Sequence, residues 1–210
     1  MQLNCDGEKY EGYWRNDKFT GYGRWIDKEG VIYEGIFNDF KLNGKGLKKW
    51  RNGTLYIGNF VDNMRDGIGT EYTKQHEYVG NFKNDKKEGL GSLKYKKTNE
   101  SYTGEFKDNA INGMGQYTWA NNDTYNGEFV NGKMHGKGKY KWADGDEYEG
   151  EYIEGLKEGN GTFKWKNGKI YSGPFEKGKP HGKGIFTSDN KKYDVVFDKG
   201  KMIESSEIKN

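Results

Sequence analysis

Residues 125–147 read YNGEFVNGKMHGKGKYKWADGDE, and this stretch decides the fold because nearly everything else in the chain repeats it. Laid beneath one another from the opening tyrosine, the copies begin at Tyr10, Tyr33, Tyr56, Tyr78, Tyr102, Tyr125, Tyr148 and Tyr171, with a shortened ninth at Tyr193. The intervals are 23, 23, 22, 24, 23, 23, 23 and 22 residues. Self-similarity at a fixed period of about 20 to 50 residues marks an array of stacked supersecondary units.

Each full copy carries a Tyr-x-Gly, an aromatic two residues after that glycine, a Gly-x-Gly about nine residues later and usually an aromatic soon after. The first glycines are Gly12, Gly35, Gly58, Gly80, Gly104, Gly127, Gly150 and Gly173; the Gly-x-Gly pairs open at Gly21, Gly44, Gly67, Gly89, Gly113, Gly136, Gly159 and Gly182. Period-two alternation bounded by Gly, Asn and Asp predicts two short strands per copy. Tyr125, Gly127 and Phe129 share one face, with Asn126 and Glu128 on the other; Tyr140 and Trp142 face away from Lys139 and Lys141. One face is therefore rings and glycine, the other charge, with acids such as Glu128 and Glu149 on first strands and lysines on second strands.

The predicted fold is all-β: about 17 antiparallel strands in a single-layer sheet, a solenoid-like rod about 80 Å long at ~4.8 Å per strand, with a shallow aromatic groove. The Tyr-x-Gly glycine lacks a side chain so that an aromatic from a neighbouring strand can approach, and Gly127→Val is expected to be strongly destabilising. The Gly-x-Gly pair suits a tight bend at positive φ.

Residues 1–9 read as an N-terminal half-repeat, 10–192 as eight repeats, 193–203 as a C-terminal capping strand and 204–210 as a polar tail. Some copies depart from the pattern. Asp27 stands where Trp142 stands in the sixth; Tyr72 is one residue out of phase, predicting a bulge or shifted strand in the third. The Lys94–Glu100 connection is longer, and Pro174 follows its glycine.

This pattern resembles the MORN (membrane occupation and recognition nexus) repeat, over residues 10 to about 200. The resemblance implies a scaffold setting: MORN repeats occur in cytoskeletal and ciliary proteins, in membrane junctions and fused to catalytic domains. A chain made almost wholly of repeats, without an appended SET or kinase domain, resembles the radial-spoke-head proteins of cilia and flagella, which implies a cytoplasmic, cytoskeletal location such as the axoneme.

Hydrophobic residues are 31% and aromatics 16%, so the core must be thin and made of rings. The 35 basic and 32 acidic residues leave a net charge of +3, without the dominant basic face of a nucleic-acid binder. One cysteine, Cys5, excludes an internal disulfide and a multi-cysteine metal site and reads as a free thiol. The first residues lack a secretory apolar core, Gln2 rules out N-myristoylation, and four sequons, at Asn52, Asn99, Asn122 and Asn160, read as coincidences of composition.

No Gly-x-Gly copy continues as a phosphate loop or a dinucleotide fingerprint. His135 and His181 occupy the same repeat position two copies apart and cannot share a metal; His76 lies in a different loop. No carboxylate pair has a reason to be desolvated together, as acid–base catalysis needs. The expectation is a protein without catalytic, metal or cofactor residues. The rings Trp50, Trp119, Tyr140, Trp142, Phe163 and Trp165 are the expected partner-binding groove, since aromatics dominate interface hot spots. The expected partner is a helical or extended protein segment, or a second copy. The alternative is an adaptor recognising anionic phospholipid through Lys137, Lys139, Lys141, Lys164 and Lys166.

Overall fold

The computed structural model describes residues 2–5 and 7–209, with side chains from Gly7 onward. The thiol expected at Cys5 and the Asp6 half of the first turn lie outside these. Among the described residues there is no helix, and the chain forms two units, Met1–Ala110 and Ile111–Asn210. The first holds β1 (Gln2–Cys5), β2 (Glu8–Arg15), β3 (Lys18–Ile26), β4 (Ile32–Asn38), β5 (Lys41–Lys49), β6 (Leu55–Val61), β7 (Met64–Tyr72), β8 (His76–Lys83), β9 (Lys86–Tyr95) and β10 (Ser101–Lys107). The second begins in β11 (Ala110–Thr118) and continues through β12 (Thr124–Val130), β13 (Lys133–Lys141), β14 (Glu147–Ile153), β15 (Leu156–Lys164), β16 (Ile170–Glu176), β17 (Lys179–Pro180), β18 (Gly182–Ser188), β19 (Lys191–Asp198) and β20 (Lys201–Glu207). Within each unit every strand pairs antiparallel with the next; the two-residue β17 and β18 both lie along β16.

The tight turns explain the Asn, Asp and Gly usage. Asp62–Asn63, Asp108–Asn109 and Asn131–Gly132 all have positive φ at both residues, the two-residue hairpin whose twist matches the strands. The second turn residue also ties its repeat to the previous one. Asn63, Asp85, Asn109, Gly155 and Gly178 donate their N–H to the carbonyls of Leu42, Arg65, Lys87, Met134 and Lys157. Where that residue is Asn or Asp its side chain answers, as Asn63 Oδ1 accepts from Leu42 N at 2.6 Å and Asn109 Oδ1 from Lys87 N at 2.9 Å.

On the ring face the repeat tyrosines and the aromatics four residues on interlock edge to face. Tyr78 meets Phe82 at 5.1 Å and Phe106 at 4.9 Å; Tyr148 meets Tyr152 at 5.3 Å and Phe175 at 4.8 Å. Phe82, Phe106, Tyr152 and Phe175 thus each touch the tyrosines of two repeats. Such pairs contribute ~0.5–1.5 kcal/mol beyond their buried area, and Tyr56, Tyr78, Tyr102, Tyr125, Tyr148 and Tyr171 are completely buried.

A single-layer sheet buries whole rings by a device that corrects the expectation for the glycines. The ring over Gly80 is not from a neighbouring strand: it is Tyr78 of the same strand, folded flat across both Gly80 and its partner Gly91. A Cβ at Gly91 would stand 2.5 Å from Tyr78 Cε2 and 2.6 Å from Cζ. The Tyr78 hydroxyl then donates to the Asn81 carbonyl at 2.9 Å, and Tyr56, Tyr102, Tyr125, Tyr148 and Tyr171 do the same three residues on. In the first two repeats Phe19 and Leu42 cover the glycines instead. The opening glycine of each Gly-x-Gly has positive φ and marks a bulge, as where Gly127 faces Gly138 but Glu128 faces His135.

Three further expectations are corrected. The third repeat is not shifted at Tyr72: Gly69 faces Gly58 and Glu71 faces Tyr56, so a carboxylate takes the ring position. The C-terminus is a hairpin, not a capping strand with a polar tail, because β20 runs to Glu207 and pairs with β19; ladder hydrogen bonds need backbone, not apolar side chains. The face opposite the rings is not uniformly charged: in the first unit apolar side chains stand among charges such as Arg24, Glu34 and Lys45. In the first it exposes Tyr22, Ile36, Ile57, Ile68, Val79 and Leu90.

Candidate protein-interaction groove

The second strand of each hairpin supplies the aromatics that the tyrosine zipper leaves half-buried. In the second unit they join edge to edge: Tyr117 to Trp119 at 4.7 Å, Trp119 to Tyr140 at 5.1 Å, Tyr140 to Trp142 at 4.5 Å, Trp142 to Phe163 at 5.3 Å, Phe163 to Trp165 at 4.7 Å and Trp165 to Phe186 at 5.9 Å. Five of the six expected site residues, Trp119, Tyr140, Trp142, Phe163 and Trp165, therefore belong to one ribbon.

Its tryptophans are held by their backbones. Each opens a turn: Trp142 N donates to Asp146 O and its carbonyl accepts from Gly145 N, and Trp119 and Trp165 repeat this with Asp123 and Asn122, and with Lys169 and Gly168. The phenol of Tyr140 donates to Asp123 Oδ2 at 2.8 Å, while Asp123 Oδ1 accepts from Ala143 N at 2.8 Å. Burial raises the Asp123 pKa, but the bonds from Ala143, Tyr140 and Asn121 outweigh it and hold the carboxyl below its usual range. Asp123, which sequence reading passed over, thus anchors the ribbon to a turn 20 residues on; Asp146 does likewise through Lys166 N at 2.9 Å. Its signal was an acid two residues before the repeat tyrosine.

Lys157 enters the ribbon from β15, the strand that carries Phe163. Its ammonium stands 4.5 Å from the Trp142 ring centre, 4.8 Å from Phe163 and 5.1 Å from Tyr148. Burial lowers its pKa to about 8, and the ring faces partly compensate the charge for lost water.

Trp50 stands apart in the first unit, under Lys48 at 4.9 Å and Arg65 at 5.6 Å. There the ribbon positions are mixed: Trp25 stacks on Tyr33 at 4.4 Å, but Lys48 and Glu71 stand opposite Tyr33 and Tyr56. Glu71 is ringed by Arg65, by Lys87 at 2.7 Å and by His76 at 3.2 Å, and Arg65 reaches Asp85 at 3.0 Å. The cluster fills the space that Tyr140 and Phe163 fill in the second unit. Among the described residues no three potential ligands are grouped to hold a metal ion, and no helix is long and apolar enough to cross a membrane.

The MORN repeat model matches residues 10–31, 33–55, 56–75, 78–99, 102–124, 125–147, 148–170 and 171–192. The chain belongs to the MORN repeat family. No curated protein matches it. Among solved structures, this MORN chain is similar to the CPAP G-box domain at 12% identity and a TM-score of 0.53, over 87% of this chain and 96% of that one. It is also similar to the TCP domain of SAS-4 from Drosophila melanogaster, solved in complex with a proline-rich motif of Ana2, at 12% identity and a TM-score of 0.47, over 75% and 88%. At these identities the likeness is one of fold.

Proposed function

We propose that this MORN chain is a non-enzymatic interaction scaffold whose second unit docks an extended protein segment along the ring ribbon. The observation that carries the reading is the unbroken run of half-buried rings from Tyr117 to Phe186, with centres 4.5 to 5.9 Å apart. Its pitch selects the partner's backbone. Ribbon residues come from alternate strands, so the ribbon advances ~9.6 Å per repeat. A polyproline II segment advances ~9.3 Å per three-residue turn, whereas seven residues of α-helix advance ~10.5 Å. Over three repeats the mismatch is about 1 Å for the first and about 3 Å for the second. One apolar or prolyl face per turn therefore meets each repeat, as in other aromatic grooves that read extended proline-rich segments.

Two of the lysines that would favour anionic lipid, Lys139 and Lys141, are answered by acids. Lys139 lies 2.9 Å from Glu147 and 3.9 Å from Glu149, and Lys141 lies 3.5 Å from Glu147. This favours a protein partner, in a cytoskeletal setting such as the axoneme, as expected of all-repeat MORN chains. Trp119, Trp142 and Trp165 make the test direct: a polyproline dodecapeptide is titrated against tryptophan emission, with an amphipathic helical peptide and acidic-lipid vesicles in parallel. A saturable emission change with the polyproline peptide, together with loss of the peptide's binding heat by calorimetry in Trp142→Ala/Trp165→Ala, supports the reading. Binding of vesicles alone, or an undiminished response in the double variant, overturns it.

A further inference from the structure

We infer that the first unit pairs with a second copy of itself through the face opposite the rings. On this face the glycine row Gly35, Gly46, Gly58 and Gly69 floors a shallow trough walled by Tyr22, Leu47, Ile57 and Ile68, with Glu34, Lys45, Asn59 and Thr70 between them. Tyr22 is 64% exposed, Ile68 65% and Leu90 65%, and Tyr13, Ile36, Ile57 and Val79 add to the same face. The corresponding trough of the second unit is walled by Lys137, Lys139, Glu149, Glu151 and Asn160. Leu47, Ile57 and Ile68 thus stand at the repeat positions of Lys139, Glu149 and Asn160, while Lys45 keeps the charge of Lys137, so the sheet itself does not demand the apolar walls.

Two observations select a second copy. The first is area: these side chains expose on the order of 600 Å², and with their polar neighbours approach the ~800 Å² each partner brings to a stable interface. The second is register. Leu47 faces Ile57, Ile57 faces Thr70 and Thr70 faces Val79 in one cross-strand row; Tyr22 faces Ile36, and Ile68 and Leu90 follow at the same height. A twofold axis parallel to the strands, between β6 and β7, sets β5 over β8 and β4 over β9 of the other copy. It lays Leu47 on Val79, Ile36 on Leu90 and Ile57 on Thr70. Lys45 then meets Asn81 and Glu34 meets Ser92, so no like charges oppose. Sheets packed face to face keep their strands within about 30°, which this register allows.

The test is sedimentation of the full chain at micromolar concentration with Ile36→Glu, Leu90→Lys and the double variant. Each single change exposes an unpaired charge to both halves of the interface and should weaken the dimer roughly 30-fold or more. The double variant should regain most of the loss, because Glu at 36 of one copy meets Lys at 90 of the other. Lys137→Glu/Lys139→Glu in the second unit should leave the dimer intact. Thermal unfolding of each variant separates misfolding from lost association, these positions being solvent-exposed. A monomeric wild type, a dimer indifferent to all four changes, or singles that the double does not rescue overturns the inference.

Discussion

Gly91→Ala tests the device by which one layer buries its rings. The new methyl would stand 2.5 Å from Tyr78 Cε2 and Oη and 2.6 Å from Cζ, with no backbone atom among its three nearest contacts. Tyr78 has nowhere to retreat: it is completely buried, wedged between Phe82 and Phe106, and its hydroxyl is bonded to Asn81 O at 2.9 Å. Overpacking costs ~1–3 kcal/mol, and breaking the tyrosine hydrogen bond adds ~1 kcal/mol, so a loss of about 3 kcal/mol is expected. The assay is urea unfolding of Gly91→Ala, Tyr78→Leu and the double variant, compared at unchanged m-value. If the ring is the obstacle, the double variant loses at least ~1 kcal/mol less than the sum of the singles. A cost for Gly91→Ala below ~0.5 kcal/mol, or additivity within that margin, would refute the reasoning. Gly127→Val is harsher, since its Cβ would lie 2.6 Å from the Lys137 carbonyl oxygen, which cannot turn aside.

Other outcomes follow from single residues. Burial raises the Glu71 pKa, yet its bonds to Lys87 and His76 and the charges of Lys87 and Arg65 bring it down to about 2 from 4.5. The folded state then binds fewer protons than the unfolded one, so stability is full above the ordinary carboxylate range and is lost as pH falls from 4.5 towards 2. The loss is on the order of 3 kcal/mol, and Glu71→Gln should flatten the acid limb of a pH series of melting temperatures. Tyr152 Oη is buried and has no hydrogen-bond partner among the described residues, where most copies carry Phe; Tyr152→Phe should stabilise by up to ~1 kcal/mol in the same urea assay. Asp123→Ala should free the Tyr140 phenol and weaken polyproline binding roughly tenfold, a loss of ~1.4 kcal/mol, read by tryptophan emission; unaltered affinity would remove Asp123 from the site. Lys157, with its pKa near 8, should be acetylated by a limiting amine-reactive ester at neutral pH before Lys139, as read by peptide mass spectrometry.

The strand pattern and the ribbon of the second unit were legible because a ring every second residue on a period of 23 leaves one face to read. Tyr140, Trp142, Phe163 and Trp165 needed only that parity. Trp50 stands outside the ribbon because Lys48 and Arg65 lie over its ring, and in sequence these read as solvated charges. The flat fold of Tyr78 over its own glycines is a choice of side-chain rotamer, invisible to spacing. Residues 204–207 read as a tail because Glu and Ser carry no apolar alternation, although their backbone completes a ladder. Asp123 was lost among 32 acidic residues.

The ring zipper is local in the chain: partners such as Tyr10 and Phe40 are 30 residues apart. Under tension, a sheet whose hairpins are fastened only to their neighbours peels instead of shearing. Each released repeat of about 23 residues would pay out some 75 Å of slack at ~3.3 Å per residue. Load on such a chain would be taken up in steps, one hairpin at a time, each closing again when the load is removed.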